Sequence, residues 1–167
     1  MLGEHDMKKI NYTALDFEKG ITWITKLIKE NVNATGKEYE YIVGIARGGA
    51  VPAVALSHSL GLPVQIIHHS TRDNAFPFGN KGALFEPLFQ VLKDVTSGKN
   101  ILLVDDIVDD GVTLSTIFDP YVYSLSSFEN VDVATLILNP RQSKVNAKYF
   151  HWLSVENTWY EFFWEII

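Results

Sequence analysis

The 167-residue sequence contains no cysteine. That excludes disulfides and thiolate metal sites, and makes a reducing compartment the simpler expectation. It also lacks any apolar run long enough to span a bilayer. The short acidic N-terminus, Met1 to Asp6, lacks the basic-then-apolar pattern of a secretory signal. Met7-Lys8-Lys9 reads as a second start, so the first six residues carry little weight. A cytoplasmic location is expected. A basic excess is missing too: the net charge of -6 argues against a nucleic-acid or membrane partner, while leaving room for a local cationic pocket around a phosphorylated small molecule. There is no internal repeat and no low-complexity segment. What is present is ordinary, with 47% hydrophobic and 20% charged residues. The length suggests one domain, 1–167, with a core that needs no staples.

Thr13 or Asp16 caps a first helix in which Phe17, Ile21, Ile24 and Ile28 recur at helical spacing. Asn33 to Lys37 reads as a loop. Tyr41 to Ala46 is short, apolar and β-branched, a buried strand that runs directly into Arg47-Gly48-Gly49. Ala50 to Leu60 reads as a helix, with Pro52 in its first turn and Gly61 as its stop. Val64 to His68 is a second strand. Ser70 to Ala83 is polar, with Asn74, Pro77, Gly79, Asn80 and Gly82, and reads as a long loop of the kind that forms functional lids. Phe89 to Lys93 suits a strand or a helix. Ile101 to Val104 is the clearest buried strand. It ends in two aspartates, a loop with Gly111, and a helix from near Thr113. Val131 to Leu138 is a further strand, and the aromatic-rich stretch Tyr149 to Ile167 suits short strands or turns. The alternation argues for an α/β fold with a mainly parallel sheet. Ligands of such sheets bind beyond the carboxyl ends of the strands, where the loops at Arg47 and Asp105 both fall.

In Asp105-Asp106-Ile107-Val108-Asp109-Asp110-Gly111-Val112-Thr113, a strand feeds a glycine-containing loop and then a helix. Such a turn directs backbone N–H groups at one point, which suits a phosphate. The carboxylates ahead of it can accept from sugar hydroxyls or hold Mg²⁺ directly or through water. An acidic turn with Asp109 or Asp110 as a helix cap explains the residues as well, and on the residues alone the two readings stand level. The run Ile101 to Thr113, ILLVDDIVDDGVT, then resembles the signature of type I phosphoribosyltransferases: an apolar strand, two acids, two apolar residues, then Asp-Thr-Gly-x-Thr. The resemblance implies that Asp105 and Asp106 lie by the ribose hydroxyls of phosphoribosyl pyrophosphate. It implies that Asp109 takes the base proton, and that Asp109, Asp110, Gly111, Val112 and Thr113 hold the 5′-phosphate.

Ala46-Arg47-Gly48-Gly49-Ala50-Val51-Pro52 resembles the pyrophosphate loop of the same family, in the Arg-Gly-Gly-x-Val-Pro form of bacterial xanthine-guanine enzymes. Two glycines permit close approach to an anion, and Arg47 adds a permanent charge. Glu156 to Glu165 is similar to the C-terminal Asp-Thr-Trp-Ile-x-x-x-Trp-Asp stretch of those enzymes. The resemblance implies that Trp159 stacks on the base while backbone groups at Tyr160 read it; Phe162 and Trp164 read as core or interface aromatics. Phe89 to Asp94 resembles a strand leading to the acidic loop in hypoxanthine-guanine relatives, so a strand is expected there.

Two positions depart from the family pattern. Asn139 stands where 6-oxopurine enzymes carry a lysine that reads the exocyclic oxygen. Its amide offers a neutral donor or, turned over, an acceptor for an amino group; Asn139-Pro140 also reads as a plain turn, and Arg141 or Lys144 could replace the lost cation. Asp110 replaces the usual threonine of the phosphate loop. At about 4 Å two unit charges repel by roughly 4 kcal/mol at a surface-like dielectric, so the expectation is that its side chain turns to solvent and leaves the amides to the ligand. His68-His69 points to opposite faces of a strand, and His58 reads as helix surface. In the loop 70–83, a candidate mobile lid, Ser70-Thr71 is the nearest match to a family Ser-Tyr pair, and Arg72 and Lys81 offer charge to pyrophosphate.

Taken together, the resemblance implies a Rossmann-like phosphoribosyltransferase fold with a small C-terminal hood from 149–167. It implies Mg²⁺ as cofactor, held by Asp105 and Asp106, and phosphoribosyl pyrophosphate and a purine base as partners. A homodimer or homotetramer follows by the same analogy. A nucleotide sensor without turnover and a transferase for another base are the rival readings.

Overall fold

The computed structural model describes residues 8–68, 81–118, 129–143, 145–155 and 158–165, the side chains at 81–86, 115, 116 and 118 excepted. In chain order the elements are β1 (Lys8–Tyr12), α1 (Ala14–Thr35), β2 (Tyr41–Ala46), α2 (Ala50–Leu60), β3 (Val64–His68), α3 (Lys81–Thr96), β4 (Ile101–Val108), α4 (Val112–Phe118), β5 (Val131–Leu138), β6 (Tyr149–Leu153) and β7 (Thr158–Phe162). Five strands form an all-parallel sheet in the order β3-β2-β4-β5-β6. Its central strands are apolar on both faces because both faces are covered. Val43, Ile45, Leu103 and Val133 face one apolar cluster with Leu88, Val91, Leu92 and Val95 of α3. Ile42, Leu102, Val104, Ala134 and Leu136 face the other with Ile21, Ile24 and Ile28 of α1 and Ala53 and Leu56 of α2. The α/β parallel-sheet expectation holds.

Helix α1 begins where the sequence indicates. Thr13 accepts from the Asp16 N–H, and Asp16 accepts from the Thr13 N–H, a reciprocal capping box. It ends later than expected: the helix runs to Thr35, and Gly36 at φ 70° caps it, so only the end of Asn33–Lys37 is loop. The strand expected at Phe89–Asp94 is instead part of α3. The physical reason is the spacing of Leu88, Val91, Leu92 and Val95, which are all buried and fall on one face only at a helical period. Strand β4 also outruns its expected end at Val104 and carries Asp105 and Asp106 within it. The segment 70–80 lies outside the described residues, while Lys81 to Ala83, read as the end of the loop, lie in α3.

Strand β1 was not anticipated. It pairs in parallel with β7, Lys8 opposite Thr158 and Tyr12 opposite Phe162. The hood expected from 149–167 is thus divided: β6 joins the five-stranded sheet, and β7 forms a separate two-stranded hood with β1. Tyr12 is fully buried at the junction, its hydroxyl 2.8 Å from His151 Nδ1 on β6 and its ring edge-on to Trp152.

At the amino end of β5, Asp132 collects Lys37 at 2.8 Å, Lys148 at 3.0 Å and the Tyr39 hydroxyl, which also meets the Tyr149 hydroxyl at 2.8 Å. Burial pushes the Asp132 carboxyl up, but these hydrogen bonds outweigh it and hold it below the usual carboxylate range. A depressed acid stabilises the fold above its unfolded-state pKa and loses that contribution as pH falls through the carboxylate range, below about pH 4. Asp132→Asn is therefore expected to cost about 2 kcal/mol at pH 7. Denaturant titrations at several pH values check this: the gap between variant and wild type should narrow on acidification.

Candidate functional site

The carboxyl ends of β2 and β4 bring two loops together. After β2 the chain passes through the cis Ala46–Arg47 peptide into Gly48, Gly49 and α2. A Cβ at Gly48 would lie 1.9 Å from Asp106 Oδ2, and one at Gly49 would lie 2.6 Å from the Val104 carbonyl and 2.8 Å from Asp105 Cα. At Gly49 the obstruction is backbone, so no side chain fits; at Gly48 a side chain would have to displace the Asp106 carboxylate. The glycines thus suit the approach of the Arg47 loop to the acidic strand, two segments separated in sequence by α2, β3 and α3. Gly44 serves the same closeness from behind, since a Cβ there would strike Ala53 at 2.6 Å.

Asp105 and Asp106 are the buried acids of the described residues, each 9% exposed. Asp105 accepts from the Asp106 N–H at 3.0 Å and Asp106 from the Ile107 N–H at 2.8 Å. Burial pushes Asp105 well above its ordinary range, and the neighbouring Asp106 charge adds to it. Burial likewise pushes Asp106 up, to about 6; the backbone N–H groups offset part of this and the charge of Glu165 adds. Between about pH 4 and 6 the folded protein therefore holds protons more tightly than the unfolded chain. Stability falls as pH rises through that window, and at neutral pH ionising Asp106 costs on the order of 3 kcal/mol. Asp106→Asn is expected to raise the thermal midpoint of the ligand-free protein at pH 7.5 by about 5 °C. Melting curves at pH 7.5 and 4.5 check this, since the gain should shrink at the lower pH.

A pair of buried, hard carboxylate oxygens destabilised by their own charge fits a Mg²⁺ ion. Among the described residues no group of three His, Cys, Asp or Glu could hold a metal. The remaining ligands would have to be water or oxygens of a bound phosphate ester, the usual arrangement for Mg²⁺.

Beyond β4, Asp109 is half-buried and Asp110 exposed. Gly111 adopts φ 74°, and a Cβ there would lie 3.0 Å from Ser143 Oγ and 3.1 Å from Val145 Cγ2. Val112 opens α4, followed by half-buried Thr113. The Asp110 side chain is exposed as expected, but it does not leave the amides free: its Oδ1 accepts from the Val112 N–H at 2.9 Å. Asn139, directly after β5, donates from Nδ2 to Asp109 Oδ1 at 2.7 Å, and its Oδ1 accepts from the Arg141 N–H at 3.2 Å. Its own N–H donates to the Val108 carbonyl at 2.8 Å.

The Ser154 N–H donates to the Leu138 carbonyl, and the Val155 N–H donates to the Tyr160 hydroxyl at 3.0 Å. These bonds tie the hood to the end of β5 beside Asn139. Tyr160 is buried, and Trp159 next to it is 45% exposed. Among the described residues no hydrogen bond or ring contact joins Trp159 to the acidic loop. Phe162 is buried and stacks with Trp164 at 4.6 Å, both in the core as their pattern suggested. His58 lies exposed on α2, and exposed His68 ends β3. His69, Ser70, Thr71, Arg72, Lys144, Glu156 and Asn157 lie outside the described residues, and Lys81 is placed only as the first residue of α3.

Three residues at the site carry no expectation from sequence. Glu165, whose side chain accepts from the Phe162 N–H at 3.1 Å, acts on Asp106 through its charge; the acid closing the Trp-rich stretch was the available signal. Ser143 and Val145, pressed against Gly111, had no signal in the sequence.

A xanthine-guanine phosphoribosyltransferase of Idiomarina loihiensis is 33% identical over 88 residues, covering 47% of this chain and 46% of that protein. The match thus spans less than half of that curated relative's length. Among solved structures, a purine phosphoribosyltransferase from Pyrococcus horikoshii Ot3 superposes with a TM-score of 0.66 at 22% identity, over 96% of this chain and 97% of its own. A Neisseria gonorrhoeae protein with bound ppGpp gives 0.66 at 25% identity, over 98% and 93%. The type I phosphoribosyltransferase fold expected from the motifs is the fold of the first of these. Residues 13–166 match the phosphoribosyl transferase domain, and the chain belongs to that family.

Proposed function

We propose that this chain transfers the 5-phosphoribosyl group from phosphoribosyl pyrophosphate to a 6-oxopurine (guanine, xanthine or hypoxanthine), forming the nucleoside monophosphate in cytoplasmic purine salvage. The observation that carries this is the contact of Gly48 with Asp106, because it unites an anion-binding loop with sugar-binding acids in one wall. The base nitrogen displaces pyrophosphate from C1′. Arg47 and the Gly48 and Gly49 amides take the negative charge developing on the departing group. Mg²⁺, when bound by Asp105 and Asp106, neutralises pyrophosphate charge. Those two acids hold the ribose hydroxyls, Asp109 takes the base proton, and the amides of the loop 109–113 hold the 5′-phosphate. Trp159 stacks on the base and Tyr160 backbone groups read its edge. The single domain 1–167 works as a homodimer or homotetramer. The name of the Idiomarina relative supports the purine assignment.

Pyrophosphate release with Mg²⁺, phosphoribosyl pyrophosphate and a panel of guanine, hypoxanthine, xanthine, adenine and orotate tests the reading. Turnover of a 6-oxopurine supports it, and turnover of another base alone redirects it. A second reading, a nucleotide sensor without turnover, is favoured by the Asp110 carboxylate seated on the Val112 N–H and by the bound ppGpp of the Neisseria protein. Nucleotide binding by calorimetry with no pyrophosphate release from any base would select it.

A further inference from the structure

Away from the two loops, α1 and β6 border a groove of about 630 Å³, lined by Lys19, Trp23 and Leu27 of the helix and Phe150, His151 and Trp152 of the strand. Its volume lies in the range of roughly 300 to 1,000 Å³ usual for small-molecule sites. Among the described residues β6 is the edge strand, with β5 between it and β4, and the groove shares no residue with the Arg47 loop or the acidic loop. We propose that this groove is a second ligand site, which takes a planar aromatic ring carrying one N–H donor and one anionic group. The assignment is independent of the transferase reading.

The ring is called for by the walls. His151 stacks on Trp152 with centroids 5.5 Å apart and planes 25° from parallel. Lys19, Trp23 and Leu27 align along α1 at a spacing of four residues, and Trp23 keeps 44% of its surface exposed. A flat apolar ring covering these faces removes that surface from water. The anion is called for by Lys19, the one charged residue of the lining. It is exposed and makes no ion pair among the described residues. Lys26, over the Trp23 ring at 5.6 Å, is already paired with Glu30 at 3.8 Å, and the nearby Asp16 carboxylate is held by the Thr13 N–H and hydroxyl. The chain as a whole carries a net charge of -6, so Lys19 marks a local cationic spot complementary to an anion.

The N–H donor is called for by His151. The Tyr12 hydroxyl donates its one hydrogen to the Asp16 carbonyl at 3.2 Å. The 2.8 Å contact between that hydroxyl and His151 Nδ1 is then a donation from Nδ1. Burial holds the imidazole below its usual range, the charge of Asp16 opposing and that of Lys19 adding, so the ring is neutral at pH 7. A neutral ring with its proton on Nδ1 has a bare acceptor at Nε2, the nitrogen left for an occupant of the groove. Gly20 permits this pairing against the helix: a Cβ there would lie 2.5 Å from Tyr12 Oη and 3.0 Å from His151 Nδ1.

Indole-3-acetate has the ring, the N–H and the carboxylate, and serves as the probe in calorimetric titrations of the full chain. One-to-one binding with a Kd of about 0.1 to 1 mM is expected. Lys19→Met and Trp23→Ala are each expected to weaken it by about tenfold. Both residues are exposed, so the variants should fold, which melting curves verify. Blocking the donor in 1-methylindole-3-acetate is expected to cost about fivefold, and tryptamine, with an ammonium in place of the carboxylate, at least about tenfold. Trp159→Ala should bind the probe within about twofold of the wild type, because Trp159 is no part of the groove. No saturation below about 10 mM, unchanged affinity in both groove variants, or a tenfold loss in Trp159→Ala would each overturn the site. Equal binding of tryptamine would overturn the anionic requirement, and equal binding of the methylated probe the role of His151.

Discussion

Asp109→Asn is expected to lower kcat by about 100- to 10,000-fold while leaving the affinity for phosphoribosyl pyrophosphate within about twofold. The two sides of the prediction come from different features. The substituted amide would have the shape of the native side chain, and its oxygen would still accept from Asn139 Nδ2, the 2.7 Å bond of the wild type. The backbone bond from Asn139 to the Val108 carbonyl is untouched, so the loop keeps its form and the amides around Gly111 keep their direction. What disappears is the one property that the proposed mechanism needs at that atom, the capacity to take a proton from the base nitrogen as its bond to C1′ forms. Steady-state kinetics together with calorimetric titration of phosphoribosyl pyrophosphate read both sides at once. Undiminished turnover would remove Asp109 from the mechanism. A collapse in affinity equal to the loss in turnover would show that it holds the loop rather than the proton.

Asp110→Thr is expected to tighten phosphoribosyl pyrophosphate binding, by about 100-fold at low ionic strength. In the native protein a phosphate that uses the Val112 N–H must first displace the Asp110 carboxylate that sits on it at 2.9 Å, and then tolerate that charge nearby. At about 4 Å and a surface-like dielectric the repulsion alone is roughly 4 kcal/mol. Exposure of the side chain and salt reduce it, which brings the estimate down to about 100-fold. Threonine restores a neutral hydroxyl at the same place, and Asp110→Ala separates the loss of charge from the gain of that hydroxyl. Because screening weakens a repulsion, the advantage of both variants should shrink as salt is raised from about 50 to about 500 mM. Binding that is unchanged or weaker in Asp110→Thr would mean that the carboxylate does not compete with the ligand.

The parts of this fold that were legible in sequence are those where one local pattern has one physical meaning. Tyr41 to Ala46 and Ile101 to Val104 are continuous apolar runs because parallel strands are covered on both faces; the Gly48-Gly49 pair lies just past the first of these strands, whereas Asp105 and Asp106 lie inside the second. Helix α3 was misread because the resemblance of Phe89–Asp94 to a strand was weighed above the helical spacing of Leu88, Val91, Leu92 and Val95. Strand β1 escaped notice because Lys8 to Tyr12 is short and polar, and it is a strand only by virtue of β7. At the site the residue types were readable and their pairings were not. Nothing local indicates that Asn139 meets Asp109, that Asp110 folds back on Val112, or that Ser143 backs Gly111. Each depends on how β4 and β5 lie side by side, with Val108 opposite Leu138.

The pairing of Lys8–Tyr12 with Thr158–Phe162 sets an order on assembly during synthesis. The five-stranded sheet can be completed once Leu153 clears the ribosome, but β1, made before any strand of that sheet, must wait until β7 has followed the last of them. Trp159 rides on that last partner. A ribosome-stalled or protease-clipped product lacking β7 would therefore carry both loops on a formed sheet and an unpaired leading strand, a species open to edge pairing with another chain.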